Sequence, residues 1–167
     1  MEKSHLRTAL GTFMTGVTIV TVFDSNNEPW GVTANSFTSV SLDPPLVLVC
    51  IGKKGRTYPV FSASDQFAVN VLAASQQQLA MHFAGSTQNR FDGIKCNRHE
   101  GGAPILDNTA AWFDCRVRNR ISEADHEILI GEVVKFAHTE QTPLGYCRGA
   151  FVTTQPFKEN TRQANHV

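Results

Sequence analysis

Residues 17–23 read VTIVTVF, and β-branched side chains at nearly every position predict a strand. The polar cluster at residues 24–27 predicts a turn that returns the chain as a hairpin through residues 30–36, with residues 37–42 continuing it. Asp43, Pro44 and Pro45 then break the ladder, because proline has no N–H to donate. Residues 46–51 form an unbroken apolar run, which predicts a strand buried on both faces. Residues 66–72, 128–137 and 146–152 predict three more strands. Residues 111–121 alternate, with Ala111, Phe113, Cys115, Val117 and Ile121 on one face. Arg116, Arg118 and Arg120 take the other, a stripe suited to solvent or to a second subunit.

The helical signals are short and few. Ser4 can cap a helix whose apolar face is Leu6, Ala9, Leu10 and Phe13, with Gly16 as its end. Residues 57–64 suit a short helix with Pro59 near its start. Ser75 can cap another that runs to Phe83, with Leu79, His82 and Phe83 sharing a face. Residues 85–108 are polar and glycine-rich and read as a long excursion with little regular structure. Six or seven strands without β-α-β alternation predict a mainly β protein, an antiparallel barrel with helices at its rim.

Composition narrows the function classes. The 167 residues make one ordinary domain, and Lys plus Arg balances Asp plus Glu at 15 each. A zero formal net charge argues against a general nucleic-acid or anionic-membrane binder. The start, MEKSHLRTALGTF, lacks the pattern of a signal peptide, and no apolar run approaches the roughly 20 residues of a membrane span. A soluble, cytoplasmic protein is expected. Cys50, Cys96, Cys115 and Cys147 form no C-x-x-C pair, so reduced thiols are expected. Cys96 and His99 have ligand-like spacing without a second pair, so no metal is expected. Neither G-x-G-x-x-G nor G-x-x-x-x-G-K-[ST] occurs, and no G-x-S-x-G elbow supports a hydrolase.

The chemistry concentrates in GVTANSFTSVSLDPPLVLVCIGKKGRT, residues 31–57. Small hydroxyl and amide residues would let backbone N–H groups approach the edge of a planar ring. Gly52 and Gly55 bracket a basic loop in which Lys53, Lys54, Arg56 and Thr57 can receive a phosphate or pyrophosphate. Arg90 and Phe91 stand in the glycine-rich stretch, where an aromatic has no evident core to fill.

Four stretches in order carry a family resemblance: residues 31–51, FAVNVL at 67–72, HFAG at 82–85 and DHEILIGEV at 125–133. Together they resemble the short-chain NAD(P)H:flavin oxidoreductases, the flavin reductase components of two-component flavin monooxygenases. The resemblance covers residues 6–157, which makes residues 1–157 the domain and 158–167 a polar tail. It implies an FMN-binding split barrel of Greek-key type and a homodimer with the flavin near the subunit boundary.

It also implies residue roles. Thr33, Ala34, Asn35 and Ser36 would line the ring edge, with Ser39 reaching toward the phosphate or ribityl chain. Cys50, Ile51, Gly52 and Lys53 would end the buried strand at the cofactor, and Phe83 or Phe91 with Arg90 would hold its tail. Tyr146 and Arg148 match the last strand, where Arg148 could add a phosphate contact. His126 would border the nicotinamide and orient it. Asp125 would point to the opposite face, so the two are not expected to form an acid–base dyad. Relatives read Gly-Asp-His where this chain has Ala124, and alanine resists positive φ.

The expected reaction is hydride transfer from NADH or NADPH to FMN or FAD, achieved by stacking two flat rings about 3–3.5 Å apart. Reduced flavin would then serve a partner flavin-dependent monooxygenase. Two alternatives stay open at this level: a barrel that retains FMN and acts on another substrate, and a flavin-binding barrel without turnover.

Overall fold

The computed structural model describes residues 2–86 and 90–155, so the tail at 158–167 lies outside the described residues. Helix α1 (Lys3–Leu10) leads through a short strand β1 (Thr15–Gly16) into β2 (Thr18–Phe23) and β3 (Pro29–Ala34). The 24–27 turn joins β2 and β3 as expected. Asp24 Oδ1 accepts the N–H groups of Asn26 and Glu28 at 2.8 and 2.9 Å. Next come β4 (Thr38–Leu42), β5 (Pro45–Gly52), α2 (Tyr58–Ala63) and β6 (Gln66–Val71). A 3₁₀ turn (Ala74–Gln76), α3 (Gln77–Ala84), β7 (Cys96–Arg98) and β8 (Pro104–Leu106) follow. The chain then forms two long strands, β9 (Ala111–Glu123) and β10 (His126–His138), and a final hairpin, β11 (Leu144–Cys147) with β12 (Ala150–Thr153).

Seven strands make one antiparallel sheet in the order β3-β2-β6-β9-β10-β5-β4. The sheet curls until its ends share one core. Val20 and Val22 of β2 meet Val47, Val49 and Ile51 of β5, together with Phe67, Cys115 and Leu129. Helix α2 plugs one end of this barrel with Phe61, which is 1% exposed. Truncating such a ring costs about 3–5 kcal/mol. A second cluster, Ile19, Leu72, Ala80, Phe83 and Leu144, packs α3 against the sheet.

Several expectations are corrected. β4 does not continue β3. It turns at the cis Asp43–Pro44 bond and pairs with β5 at the other end of the sheet. β5 is not buried on both faces, because only Val47, Val49 and Ile51 point into the barrel while Leu46, Leu48 and Cys50 are half-buried outside. Residues 85–108 are not structureless: β7 and β8 form a hairpin docked on the outer face of the sheet. Buried polar groups hold it. The Thr21 hydroxyl donates to Pro104 O at 2.5 Å, Leu106 N–H donates to Asn70 Oδ1 at 2.8 Å, and Ala103 N–H donates to Asp114 Oδ1 at 3.4 Å.

The arginine stripe is also interrupted. Ile130 opposes Asn119 and Gly131 opposes Val117, so Arg118 is an extra residue in β9. Alternation inverts beyond it. Arg120 turns inward opposite Leu129, Ile121 turns outward to 41% exposure, and Arg116 and Arg118 stay exposed. Gly131 sits at this step because a Cβ there would lie 2.5 Å from the Phe67 ring.

Residues 146–152 form a hairpin rather than one strand, with Arg148 and Gly149 at φ 50° and 82° in its turn. Ser75 makes no cap; Gln76 Oε1 accepts Ala73 N–H at 3.0 Å instead. α1 ends at Gly11 and buries none of its residues. All four cysteines are free.

Candidate active site

The curled sheet leaves two edges facing one another. β3 pairs with β2 alone, and β4 covers β5 only as far as Leu48. Beyond Leu48 the exposed edge of β5 looks across at the end of β3. Unpaired backbone groups along such edges are ready donors and acceptors. A slot of about 210 Å³ lies between them, lined by Thr33, Ala34, Asn35, Ser36, Cys50, Ile51, Gly52 and His126, with Val32. Residues from β3, β5 and β10 thus converge although they are far apart in the chain.

Internal bonds shape the slot. The Ser36 hydroxyl accepts Cys50 N–H at 2.9 Å and donates to Cys50 O at 3.2 Å. The Thr33 hydroxyl donates to Ala80 O at 2.7 Å, tying β3 to α3. Gly31 lets the Phe83 ring pack on the β3 backbone, since a Cβ there would lie 2.8 Å from it. Phe83 itself is fully buried, so it braces the wall from behind and offers no surface to a ligand.

His126 pairs with Gly52 across β10 and β5, and its Nε2 side faces the Gly52 backbone. Its Nδ1 lies 2.7 Å from Asp125 Oδ1. The two side chains therefore meet, contrary to expectation, because Asp125 belongs to the β9–β10 turn and not to the extended strand. The His126 contact holds the Asp125 carboxyl below its ordinary range. Ala124 occupies that turn at φ 45°.

A second, larger cavity of about 730 Å³ is lined by the first half of β3, Pro29 to Gly31. It gathers Arg56, Thr57, Arg90 and Phe91, together with Trp30 and Gly31. The Arg90 guanidinium donates to Gly31 O at 2.9 Å and to Gly85 O, and Arg56 donates to Ser86 O at 3.1 Å. Burial first, and Arg56 second, lower the Arg90 pKa. Neither arginine is ion-paired to a carboxylate among the described residues, although Asp24, Glu28 and Asp92 line the same cavity, so both guanidinium groups keep donors for a ligand oxygen.

Other predicted residues lie elsewhere. Lys53 spends its amine on Ser122 Oγ and Ala124 O, both at 2.8 Å, and so braces the turn beneath His126. Ser39 is exposed on β4 and lines neither cavity. Tyr146 packs on Phe151, and Arg148 N–H donates to Gly11 O at 2.6 Å; neither side chain lines either cavity. Trp30, Asp24, Glu28, Asp92 and Ile94 line the larger cavity without having been singled out from sequence. Asp24 and Glu28 read as turn residues, and only an aromatic immediately after a turn, Trp30, gave a signal.

A curled seven-stranded antiparallel sheet with short helices at its rim is the fold of solved flavin reductases. The chain belongs to the flavin reductase like domain family, whose model matches residues 10–155. It is 44% identical over 157 residues to the reductase component of the flavin-dependent trigonelline monooxygenase of Acinetobacter baylyi, covering 94% of this chain and 50% of that protein. It is 42% identical over 150 residues to an FMN reductase (NADH) of Agrobacterium fabrum, covering 90% of this chain and 85% of that protein. Its fold matches the NADH:FAD oxidoreductase of Streptomyces globisporus in complex with NAD and FAD fragments. There the TM-score is 0.84 at 38% identity, over 96% of this chain and 95% of the other. The chain spans about half the length of the Acinetobacter relative. No helix among the described residues is long and apolar enough to cross a membrane.

Proposed function

We propose that this chain is an NAD(P)H-dependent flavin oxidoreductase that reduces FMN or FAD and supplies it to a partner flavin-dependent monooxygenase. One observation carries the reading: Thr33–Ser36, Cys50–Gly52 and His126 line a single slot, and Arg56 and Arg90 line a second cavity, neither ion-paired to a carboxylate among the described residues. The names of the relatives, reductase component, FMN reductase (NADH) and NADH:FAD oxidoreductase, point the same way. A flavin bound there would supply a ring that accepts a hydride from the reduced nicotinamide.

The residues act by placement. Edge backbone groups of β3 and β5 hold the ring's polar rim. Arg56, Thr57, Arg90 and Phe91 hold the phosphate-bearing tail. Asp125 fixes the His126 imidazole by its Nδ1, leaving Nε2 toward the slot to orient the nicotinamide amide. Hydride transfer requires no general base, so His126 positions and covers. An open slot between two strand edges suits a flavin that leaves after reduction.

The chain works as a homodimer. Support comes from α1 and the segment after it, where Leu10, Phe13 and Met14 are 67, 77 and 54% exposed. Steady-state assay of both nicotinamides against FMN, FAD and riboflavin tests the reading. A colourless protein that consumes nicotinamide only with added flavin supports it; persistent yellow after dialysis favours a retained FMN, and binding without turnover favours a non-catalytic barrel.

A further inference from the structure

The Arg120–Glu127–Tyr58 cluster lies at the α2 end of the barrel, and none of the three lines the slot or the larger cavity. Glu127 points inward opposite Ile51 and is 7% exposed. Its Oε1 accepts from Arg120 Nη1 at 3.0 Å, and its Oε2 accepts the Tyr58 hydroxyl at 3.2 Å. Arg120 also donates to Phe61 O at 3.0 Å and to Ser64 O. Those carbonyls end α2, while Tyr58 begins it. One carboxylate and one guanidinium therefore clamp both ends of a six-residue helix onto the β9–β10 hairpin.

What lies on either side of the clamp gives it a role. Glu127 follows His126, which lines the slot. Tyr58 follows Thr57, which with Arg56 lines the larger cavity. The Tyr58 N–H donates to Gly55 O at 3.0 Å, so the helix start and the basic loop move together. The bulge at Arg118 exists in register terms to bring Arg120 inside, at the cost of desolvating a cation. A buried pair adds little stability over apolar side chains of equal volume, so stability alone does not account for it.

We propose that Glu127, held by Arg120 and Tyr58, is a positioning residue that sets the separation of the ring slot from the phosphate-receiving arginine and threonine, and so selects phosphorylated flavins over riboflavin. The inference rests on the flavin reading above. Its signature is a ratio. A ligand that spans both cavities senses their spacing, whereas one that fills only the slot does not.

The test is fluorescence-quenching titration of the full chain with FMN and with riboflavin, for wild type, Glu127→Gln and Tyr58→Phe. Glu127→Gln should weaken FMN about tenfold while riboflavin changes less than about twofold, and Tyr58→Phe should fall between. Arg120→Met combined with Glu127→Met replaces the pair by apolar volume; with a melting temperature near wild type's as the check on folding, it should lose the same FMN preference. Equal weakening of both flavins, or an unchanged ratio in the double variant, overturns the positioning role. Failure of the wild type to bind either flavin overturns the flavin reading itself and is distinct from an altered ratio.

Discussion

The Ser36 hydroxyl stands in for a missing strand. It accepts the N–H and reaches the C=O of Cys50, two backbone groups left bare where β4 stops covering β5. One side chain thereby fixes the width of the split between β3 and β5. Ser36→Ala leaves both Cys50 groups without that partner. It should cost about 1–3 kcal/mol by urea denaturation and weaken flavin binding in the same preparation. Lost stability with unchanged flavin affinity would separate the split from the ligand site.

Arg56 and Arg90 differ in what they already hold. Arg90 bonds the carbonyls of Gly31 and Gly85, whereas among the described residues Arg56 bonds only Ser86 O. Arg56→Met should therefore leave thermal stability nearly unchanged. FMN affinity should fall about 10- to 100-fold, the worth of a charge-assisted contact, with riboflavin little affected. Calorimetric titration of both flavins checks this, and an FMN affinity unchanged in the variant would argue against Arg56 as a contact.

Ala124 holds φ 45° in the turn that carries Asp125 and His126. Glycine adopts that conformation without a Cβ clash, so Ala124→Gly should stabilise the chain by about 1 kcal/mol. The melting temperature should rise about 2–4 °C. A fall would mean that the turn gains more from alanine's stiffness in the unfolded chain than it loses to strain.

Asp114 is fully buried beneath the β7–β8 hairpin, and its Oδ2 has no hydrogen-bond partner among the described residues. Burial raises its carboxyl above the ordinary value, against N–H groups of Ala103, Gly101 and Gly102 that lower it. A raised folded-state value means that the stabilising contribution is full below the unfolded value, near about 3.9, and is lost as pH rises through the folded one. Asp114→Asn should remove this loss. Urea midpoints of the variant should fall less than wild type's between about pH 4 and pH 7, and parallel curves would contradict the assignment.

Phe13, with Leu10 and Met14, presents apolar surface that no described residue of the chain covers. Phe13→Glu should shift the protein toward monomer by light scattering without lowering the melting temperature of the monomer. An unchanged dimer would move the subunit contact elsewhere.

Much of this was legible in sequence because it is local. The 24–27 turn, the β-branched run of β2 and the small polar run at 33–36 declare themselves within a few residues, and that run supplies one wall of the slot. What was not legible depends on partners distant in the chain. The β7–β8 hairpin docks through Thr21, Asn70 and Asp114, polar residues whose burial no periodicity reveals. Arg120 reads as a surface arginine until the register with β10 shows the bulge that turns it inward. Lys53 reads as a phosphate ligand until the β9–β10 turn comes within reach of its amine.

The most direct test follows nicotinamide absorbance while purified chain is mixed with NADH or NADPH, with and without added FMN or FAD. The account predicts oxidation of at least one nicotinamide that requires the added flavin and saturates with it. A chain that quenches no flavin fluorescence and leaves both nicotinamides untouched in the presence of either flavin would contradict it.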